Sequence, residues 1–420
     1  MVEVTLIEDN PWVIRSFATR LTQDSLDWKE ILKQEREKPL DECRKYIKRI
    51  AGEIIYKDSG ERVRKGYGHP IAAEFGNRAV VLDGVSRISA LYLWRNINAT
   101  SEVYCDGLER SLRVQKPPFR CIDEESRRLY EMGLDAYAKG DERKISTENL
   151  RYVFPEGILT TVVLNAPNGT ERYFAKITNS LTKWPLKEHE ELGNGLRKII
   201  EEEYDFFSEE FPLSEWEMWE REWDEEEFIK IARNPSSSSI NILTDASLSM
   251  YAQLVRQRMG NTEIEPVGNV VRRARFEVPY TFDKEMEYVY HEVATKAIEI
   301  QRGYIERKDP NFVYYTLLGQ KARAVFHTFG KNGQSTADAR CCGAAQWEIR
   351  NKIGIPVVEL LGTGTKCFVN KECREPPKSK EKCSIKNDWL KLTREEGIKR
   401  LRVPLKDFQV EVGVEGKGEI

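Results

Sequence analysis

The chain has 420 residues, 40% hydrophobic and 32% charged, so it carries enough apolar mass for two or three packed domains and is not a disordered polymer. Sixty-six basic residues against 69 acidic ones give a formal charge of −3, which excludes a generic polyanion binder and makes nucleic acid an unlikely partner. No apolar run approaches the ~18 residues of a spanning helix, and Met1 to Asn10 lacks the pattern of a secretion signal, so no membrane partner and a cytoplasmic location are expected.

In chain order, Ser25 to Tyr56 reads as helix from Leu26, Trp28, Ile31 and Leu32, continued by Tyr46, Ile47, Ile50 and Ile54. Asn77 to Asp83 reads as a short buried strand and Val85 to Arg95 as a helix. Leu159 to Asn165 reads as a second strand ending at the turn Ala166-Pro167-Asn168-Gly169. Glu188 to Glu227 is strongly acidic, with Trp216, Trp219 and Trp223 at helical spacing. The simpler reading of that stripe is an aromatic helix face docked between domains, and the alternative is a ligand platform. Pro235 to Ser239 reads as a loop, Ile240 to Leu243 as a strand and Ala246 to Met259 as an amphipathic helix.

The order of elements therefore repeats. Ser86 to Arg95 aligns with Ser247 to Arg256 through the Ser, Leu93 with Leu254, and the closing Arg. Two divergent copies of one domain follow, 1–205 and 206–420.

Chemistry-bearing residues are sparse. Gln253, Arg256 and Gln257 fall at i, i+3 and i+4 and would share a helix face, where an amide and a guanidinium suit a pyrimidine edge or a phosphate; a solvated polar face is the alternative. Ser111 and Arg113 point the same way if extended, and His69 sits in the turn-like Gly66-Tyr67-Gly68-His69-Pro70 with Glu74 five residues on. No HExxH, CxxC, GxSxG, phosphate-loop or dinucleotide fingerprint occurs, which removes zincin, serine-hydrolase and simple nucleotide-hydrolase readings. Five of the eight cysteines lie between Cys341 and Cys383. Cys367, Cys373 and Cys383 with Cys342 or Cys341 could form a tetrahedral thiolate zinc site, the alternatives being a disulfide or ordinary thiols.

The most specific segment is Arg340 followed by Ala345-Gln346-Trp347-Glu348-Ile349-Arg350. It resembles the signature near the C-terminus of flavin-dependent thymidylate synthases, the thymidylate synthase complementing proteins, which carry an Arg five residues before the Ala. Gln253-Leu254-Val255-Arg256-Gln257-Arg258 resembles that family's Q-L-x-R-H-R, with Gln257 where the histidine stands. Gly68-His69 with Glu74 resembles G-H-x4-E, and Gly84-Val85-Ser86-Arg87 resembles the lead-in to R-H-R. Arg95-Asn96-Ile97 stands in the R-H-R place, Ser111-Leu112-Arg113 resembles the closing S-x-R, and Arg151 to Pro155 resembles A-R-x-x-L-P.

The resemblance implies an α+β protein of two tandem thymidylate-synthase-like domains forming an intrachain pseudo-dimer, and a homodimer of the chain in place of the family's tetramer. It implies methylation of dUMP to dTMP with bound FAD, a folate-type one-carbon donor and NAD(P)H. In the family each deoxyuridylate site is shared between subunits. Here the second copy matches one half of the site with Gln253, Arg256 and the catalytic Arg340, and the first copy matches the other with Ser111, Arg113 and Arg151. In the reverse combination Tyr92 replaces the Gln and Thr178 falls at the late Arg, so one composite site per chain is expected. The flavin would meet His69, Glu74, Arg95, Arg256 and Arg258. Gln257, Asn96 and Ile97 depart from the pattern and leave two alternatives: a silent nucleotide- or flavin-binding paralogue, and a related enzyme modifying pyrimidine C5.

Overall fold

A computed structural model describes residues 2–22, 24–51, 53–56, 62–65, 75–76, 78–99, 107–110, 118–120, 122–165, 186–201, 239–255, 260–329, 333, 336–337, 340–342, 345–361 and 393–410. Within these the chain is mixed helix and antiparallel sheet, in keeping with the α+β class, and no described helix is long and apolar enough to cross a membrane.

The chain opens with β1 (Glu3–Glu8), α1 (Pro11–Leu21), α2 (Trp28–Glu37) and α3 (Leu40–Ala51). The long helix expected over Ser25 to Tyr56 is thus divided. Lys38 precedes Pro39 and takes extended dihedrals (φ −75°, ψ 145°), because a following proline ring clashes with a helical residue. After α3 the β-branched and aromatic run of Glu53–Tyr56 forms β2, which pairs with β3 (Arg62–Lys65). The first two helices pack Ile14, Phe17, Trp28 and Ile31 onto one face of the first sheet through Ala79, Val81 and Val163, while α3 packs Ile47 and Ile50 against Trp12 of α1.

That sheet runs β1-β4-β6-β5, where β4 is Arg78–Ser86, β5 Gly107–Glu109 and β6 Leu159–Asn165. The helix α4 (Arg87–Ala99) follows β4 directly, and α5 (Glu124–Glu142) precedes β6. A single helical turn, Thr147–Leu150, precedes β6, and α6 (Lys187–Glu201) follows it. The second part also runs strand, helix, strand, helix, strand, with one further helix and strand inserted. β7 (Ser239–Ser247) leads into α7 (Leu248–Leu254), and β8 (Gly260–Ile264), α8 (Val267–Arg273), β9 (Arg275–Val278) and α9 (Lys284–Glu306) follow. Then come β10 (Lys321–Phe329), the turn α10 (Trp347–Ile349), a π-helical stretch Arg350–Gly354, α11 (Ile355–Leu361), α12 (Arg394–Leu401) and β11 (Lys406–Gln409). The second sheet runs β7-β10-β8, and β9 pairs with β11.

The strand expected over Ile240 to Leu243 is longer, and it absorbs Ser239 from the expected loop. The helix expected over Ala246 to Met259 begins only at Leu248. Ser247 ends the strand and caps the helix, its side chain accepting from the Met250 amide, and the helix ends at Leu254. The tryptophan stripe, the Ala166–Gly169 turn and the 205/206 boundary lie outside the described residues.

The two parts meet through a reciprocal exchange of backbone hydrogen bonds. Glu156 N donates to Thr316 O at 2.7 Å while Leu318 N donates to Phe154 O at 2.8 Å; Gly157 N reaches Tyr314 O at 2.8 Å while Gly319 N reaches Tyr152 O at 3.1 Å. Alongside, Arg87 N and Ile88 N donate to Ile158 O and Glu156 O, and Leu248 N and Ser249 N donate to Gln320 O and Leu318 O. α5 packs on α9, and both begin at an aspartate cap, Asp123 and Asp283, accepting from the amide three residues on. One contiguous core contains side chains of both parts.

Glycine is required at the crossing. A Cβ on Gly157 would lie 2.9 Å from Tyr314 O, and one on Gly319 would lie 3.0 Å from Tyr152 O and 1.9 Å from the Tyr290 hydroxyl oxygen. Gly157→Ala and Gly319→Ala should each cost about 1–3 kcal/mol in denaturant unfolding, by forcing this junction apart. Gly303→Ala, in the last turn of α9 with only the Arg307 side chain at 3.5 Å, should instead stabilise by about 0.5–1 kcal/mol. Equal stabilities of all three variants would contradict the tight crossing.

Candidate functional site

The Gln346-Trp347-Glu348 segment sits where the two parts meet. Gln346 caps α10, its side-chain oxygen accepting from Ile349 N at 2.8 Å, and its amide nitrogen donates to the Tyr152 hydroxyl at 2.7 Å. The indole N–H of Trp347 donates to Asn149 Oδ1 at 2.9 Å, with the Tyr152 ring 6.2 Å away and stacked. Glu348 is fully buried. It accepts from Ser247 N at 2.7 Å, from the Ser247 hydroxyl at 2.5 Å and from the Tyr152 hydroxyl at 2.5 Å, with the Lys352 ammonium at 3.3 Å. Residues on either side of Arg151 are therefore bonded directly to the segment that follows Arg340.

The same clamp occurs a second time. Glu188, 102 residues after Ser86, accepts from Ser86 N at 2.5 Å and from its hydroxyl at 2.7 Å, and bonds the Tyr314 hydroxyl. Glu348 follows Ser247 by 101 residues and reaches Tyr152. Each carboxylate thus fixes the strand-to-helix corner of its own part and a tyrosine of the other. Burial and the adjacent carboxylate push both tyrosines well above the usual phenol range, so they remain hydroxyl donors.

Arg340 is half-buried. Its backbone lies against Gly354, where an added Cβ would sit 2.4 Å from the Arg340 carbonyl carbon, and its guanidinium donates to Gln253 O at 3.4 Å. Gln253, near the end of α7, is half-buried, and its amide nitrogen is buried with no hydrogen-bond acceptor among the described residues. A buried donor of this kind is costly unless something accepts from it. Arg350, by contrast, is structural: it donates to Leu401 O at 2.9 Å and Ala345 O at 3.2 Å.

Arg151 is mostly buried, 3.7 Å from Glu148. Its positive charge acts on Glu156, which also faces Arg87 and, repulsively, Glu109; Arg87 and Glu109 form a buried ion pair. Burial dominates, and pushes the Glu156 carboxyl up to about 8. A carboxyl whose folded value exceeds the unfolded one favours the fold fully below the unfolded value of 4.5 and loses that contribution as pH rises through 8. Glu156→Gln should therefore leave stability unchanged near pH 4 and raise it by roughly 1–3 kcal/mol at pH 9, a discounted share of the full linkage. Parallel curves for variant and parent across that window would refute a buried, proton-retaining Glu156.

Of the residues expected from the sequence, the structure joins Gln253 to Arg340 and brings the Arg151 segment onto the Gln346–Glu348 segment. Ser111, Arg113, His69, Glu74, Arg256, Gln257, Arg258, Thr178, Cys367, Cys373 and Cys383 lie outside the described residues; Arg95, Asn96 and Ile97 are described as helical backbone only. Tyr92 is buried. Cys341 is buried and Cys342 half-buried, neither in a disulfide, and no metal-holding group occurs among the described residues. Sequence reasoning assigned no role to Asn149, Tyr152, Glu188 or Glu348. The usable signal was the near-equal interval from each corner serine to its glutamate. Compared with known proteins, the chain matches no family model, and no curated protein matches it.

Proposed function

We propose that the chain is a flavin-dependent methyltransferase converting dUMP to dTMP at one composite site between two tandem thymidylate-synthase-like domains that pair as an intrachain pseudo-dimer. The observation that carries the reading is the bond from Arg340 to the Gln253 carbonyl, beside the Gln253 side-chain amide that has no acceptor among the described residues, at the junction that also holds the Arg151 segment. The reciprocal backbone exchange and the duplicated glutamate clamp support the pairing of two like units.

In this reading the Gln253 amide donates to a carbonyl of the pyrimidine, and the Arg340 guanidinium stabilises negative charge developing on the ring, so that no cysteine nucleophile is needed. Arg151, with Ser111 and Arg113, neutralises the 5′-phosphate through charge-assisted bonds. Bound FAD, held by His69, Glu74, Arg95, Arg256 and Arg258, would supply the hydride that no side chain carries. NAD(P)H and a folate-type donor complete the proposed reaction, and a zinc ion on Cys342, Cys367, Cys373 and Cys383 would be structural.

The test is dTMP formation by the purified chain with FAD, dUMP, NADPH and methylenetetrahydrofolate. Flavin binding without turnover of dUMP would favour a pyrimidine enzyme of other substrate. Nucleotide or flavin binding with no chemistry at all would favour the silent paralogue, the reading to which Gln257, Asn96 and Ile97 point.

A further inference from the structure

Four charged side chains, Arg87, Glu109, Arg151 and Glu156, gather on one side of the crossing between the two parts, and the corresponding positions on the other side hold hydrocarbon. The backbone bonds set the correspondence. Arg87 N donates to Ile158 O as Leu248 N donates to Gln320 O, and Ile88 N donates to Glu156 O as Ser249 N donates to Leu318 O. Arg87 thus answers to Leu248, and Glu156 to Leu318. Gly157 N reaches Tyr314 O as Gly319 N reaches Tyr152 O, which sets Arg151 against Val313. Glu109 closes β5 opposite Val162, with Arg110 N donating to Thr161 O; Ile264 closes β8 opposite Ala324, with Glu265 N donating to Arg323 O. Leu248, Ile264, Val313 and Leu318 are each at most 6% exposed.

Hydrocarbon therefore suffices to pack this corner. Exchanging buried ionic groups for apolar ones of similar volume is commonly neutral or stabilising, so a charged set that packing does not need marks a functional site. Arg87 and Glu109, both buried, form an ion pair and cancel. Glu156 is 1% exposed, and its Oε1 has no hydrogen-bond donor among the described residues. The Arg151 side chain keeps 14% of its surface exposed, within reach of a ligand, with Glu148 at 3.7 Å. Arg120, whose amide donates to Gly157 O, turns its guanidinium to Glu188 at 3.5 Å and to the Tyr314 ring. The net charge of the four side chains thus turns on one proton. With Glu156 neutral, two guanidiniums face one carboxylate and the set is cationic; with Glu156 ionised it is neutral.

We propose that the proton on Glu156 switches Arg151 between two partners: while the carboxyl is neutral the guanidinium holds a phosphate monoester dianion, and once it is ionised the carboxylate competes with that anion. Binding of the anion is then coupled to proton uptake by Glu156. This rests on the reading above that Arg151 meets the 5′-phosphate. Glu156 acts through Arg151 and is a positioning residue. A bound dianion engages Arg151 and adds negative charge of its own, so it lifts the Glu156 carboxyl further above its already high value. Affinity is full below that value and falls as pH rises through it.

Titration calorimetry of dUMP into the full chain tests the coupling. In the parent the Kd should rise about fivefold from pH 7 to pH 9, for a coupling of about one pKa unit. In Glu156→Gln, and in Glu156→Leu, which carries the residue of the corresponding position, it should stay level within about twofold. At pH 8.5, heats in two buffers of different ionisation enthalpy should show the parent taking up about half a proton more than either variant. Ionisation of the nucleotide is common to all three proteins and cancels in the comparison. Parallel Kd profiles and equal proton uptake in parent and Glu156→Gln overturn the proposal and leave the phosphate reading standing. A parent that binds no dUMP at any of these pH values overturns both.

Discussion

On the function proposed above, Arg340→Ala should lower turnover of dUMP by about a hundred- to a thousand-fold, the loss seen when one preorganised donor is removed from a developing anion. The variant should keep its fold. The Arg340 backbone, which lies against Gly354, is unchanged, and its bond to the Gln253 carbonyl is a long one, 3.4 Å. Arg340→Lys should recover only part of the activity, since an ammonium keeps the charge and loses the planar fork. Steady-state kinetics would separate the two roles open to the guanidinium. If kcat falls while KM holds, Arg340 acts on the transition state; if KM alone rises, it merely binds. Full activity in Arg340→Ala removes the catalytic assignment.

Glu348→Ala should be among the most destabilising single changes in the protein, at about 3–5 kcal/mol. It strips acceptors from Ser247 N, the Ser247 hydroxyl and the Tyr152 hydroxyl, all buried, and takes a counter-charge from Lys352. Lys352 retains Glu277, whose carboxyl is held up at about 7 by burial and by the nearby Glu348 charge. Glu348→Gln keeps an acceptor and should cost less. Glu188→Ala should behave alike, and because each glutamate bonds a tyrosine of the opposite part, the two losses should not add. A double-mutant cycle on urea midpoints would show a coupling of about 0.5–3 kcal/mol; strict additivity would mean that the two clamps act separately.

How far the sequence was legible depended on the range of the interactions involved. β6 was readable to the residue, because Leu159 to Asn165 is an unbroken β-prone run closed by a turn signal. The division of the first helix at Pro39 was also written in the sequence, but the apolar spacing of Tyr46, Ile47, Ile50 and Ile54 carried the helical pattern on into β2. Local periodicity cannot tell a helix that continues from a strand that happens to keep its phase. Ser247 was aligned with Ser86 as a repeat identity, while its function as strand end, helix cap and glutamate partner needed a residue 101 positions away. The Ala345–Arg350 motif singled out this segment without revealing that Tyr152 and Asn149 would bind it, since those contacts come from the other part of the chain.

The exchange of hydrogen bonds between Tyr152–Gly157 and Tyr314–Gly319 bears on how the protein is made. A ribosome delivers the first of these stretches well before the second. Until Gly319 has left the exit tunnel, the nascent first half exposes backbone donors and a tyrosine that only later residues can satisfy. The junction can therefore close only after that point, and until then the growing polypeptide is exposed to chaperones and to misassembly on the polysome.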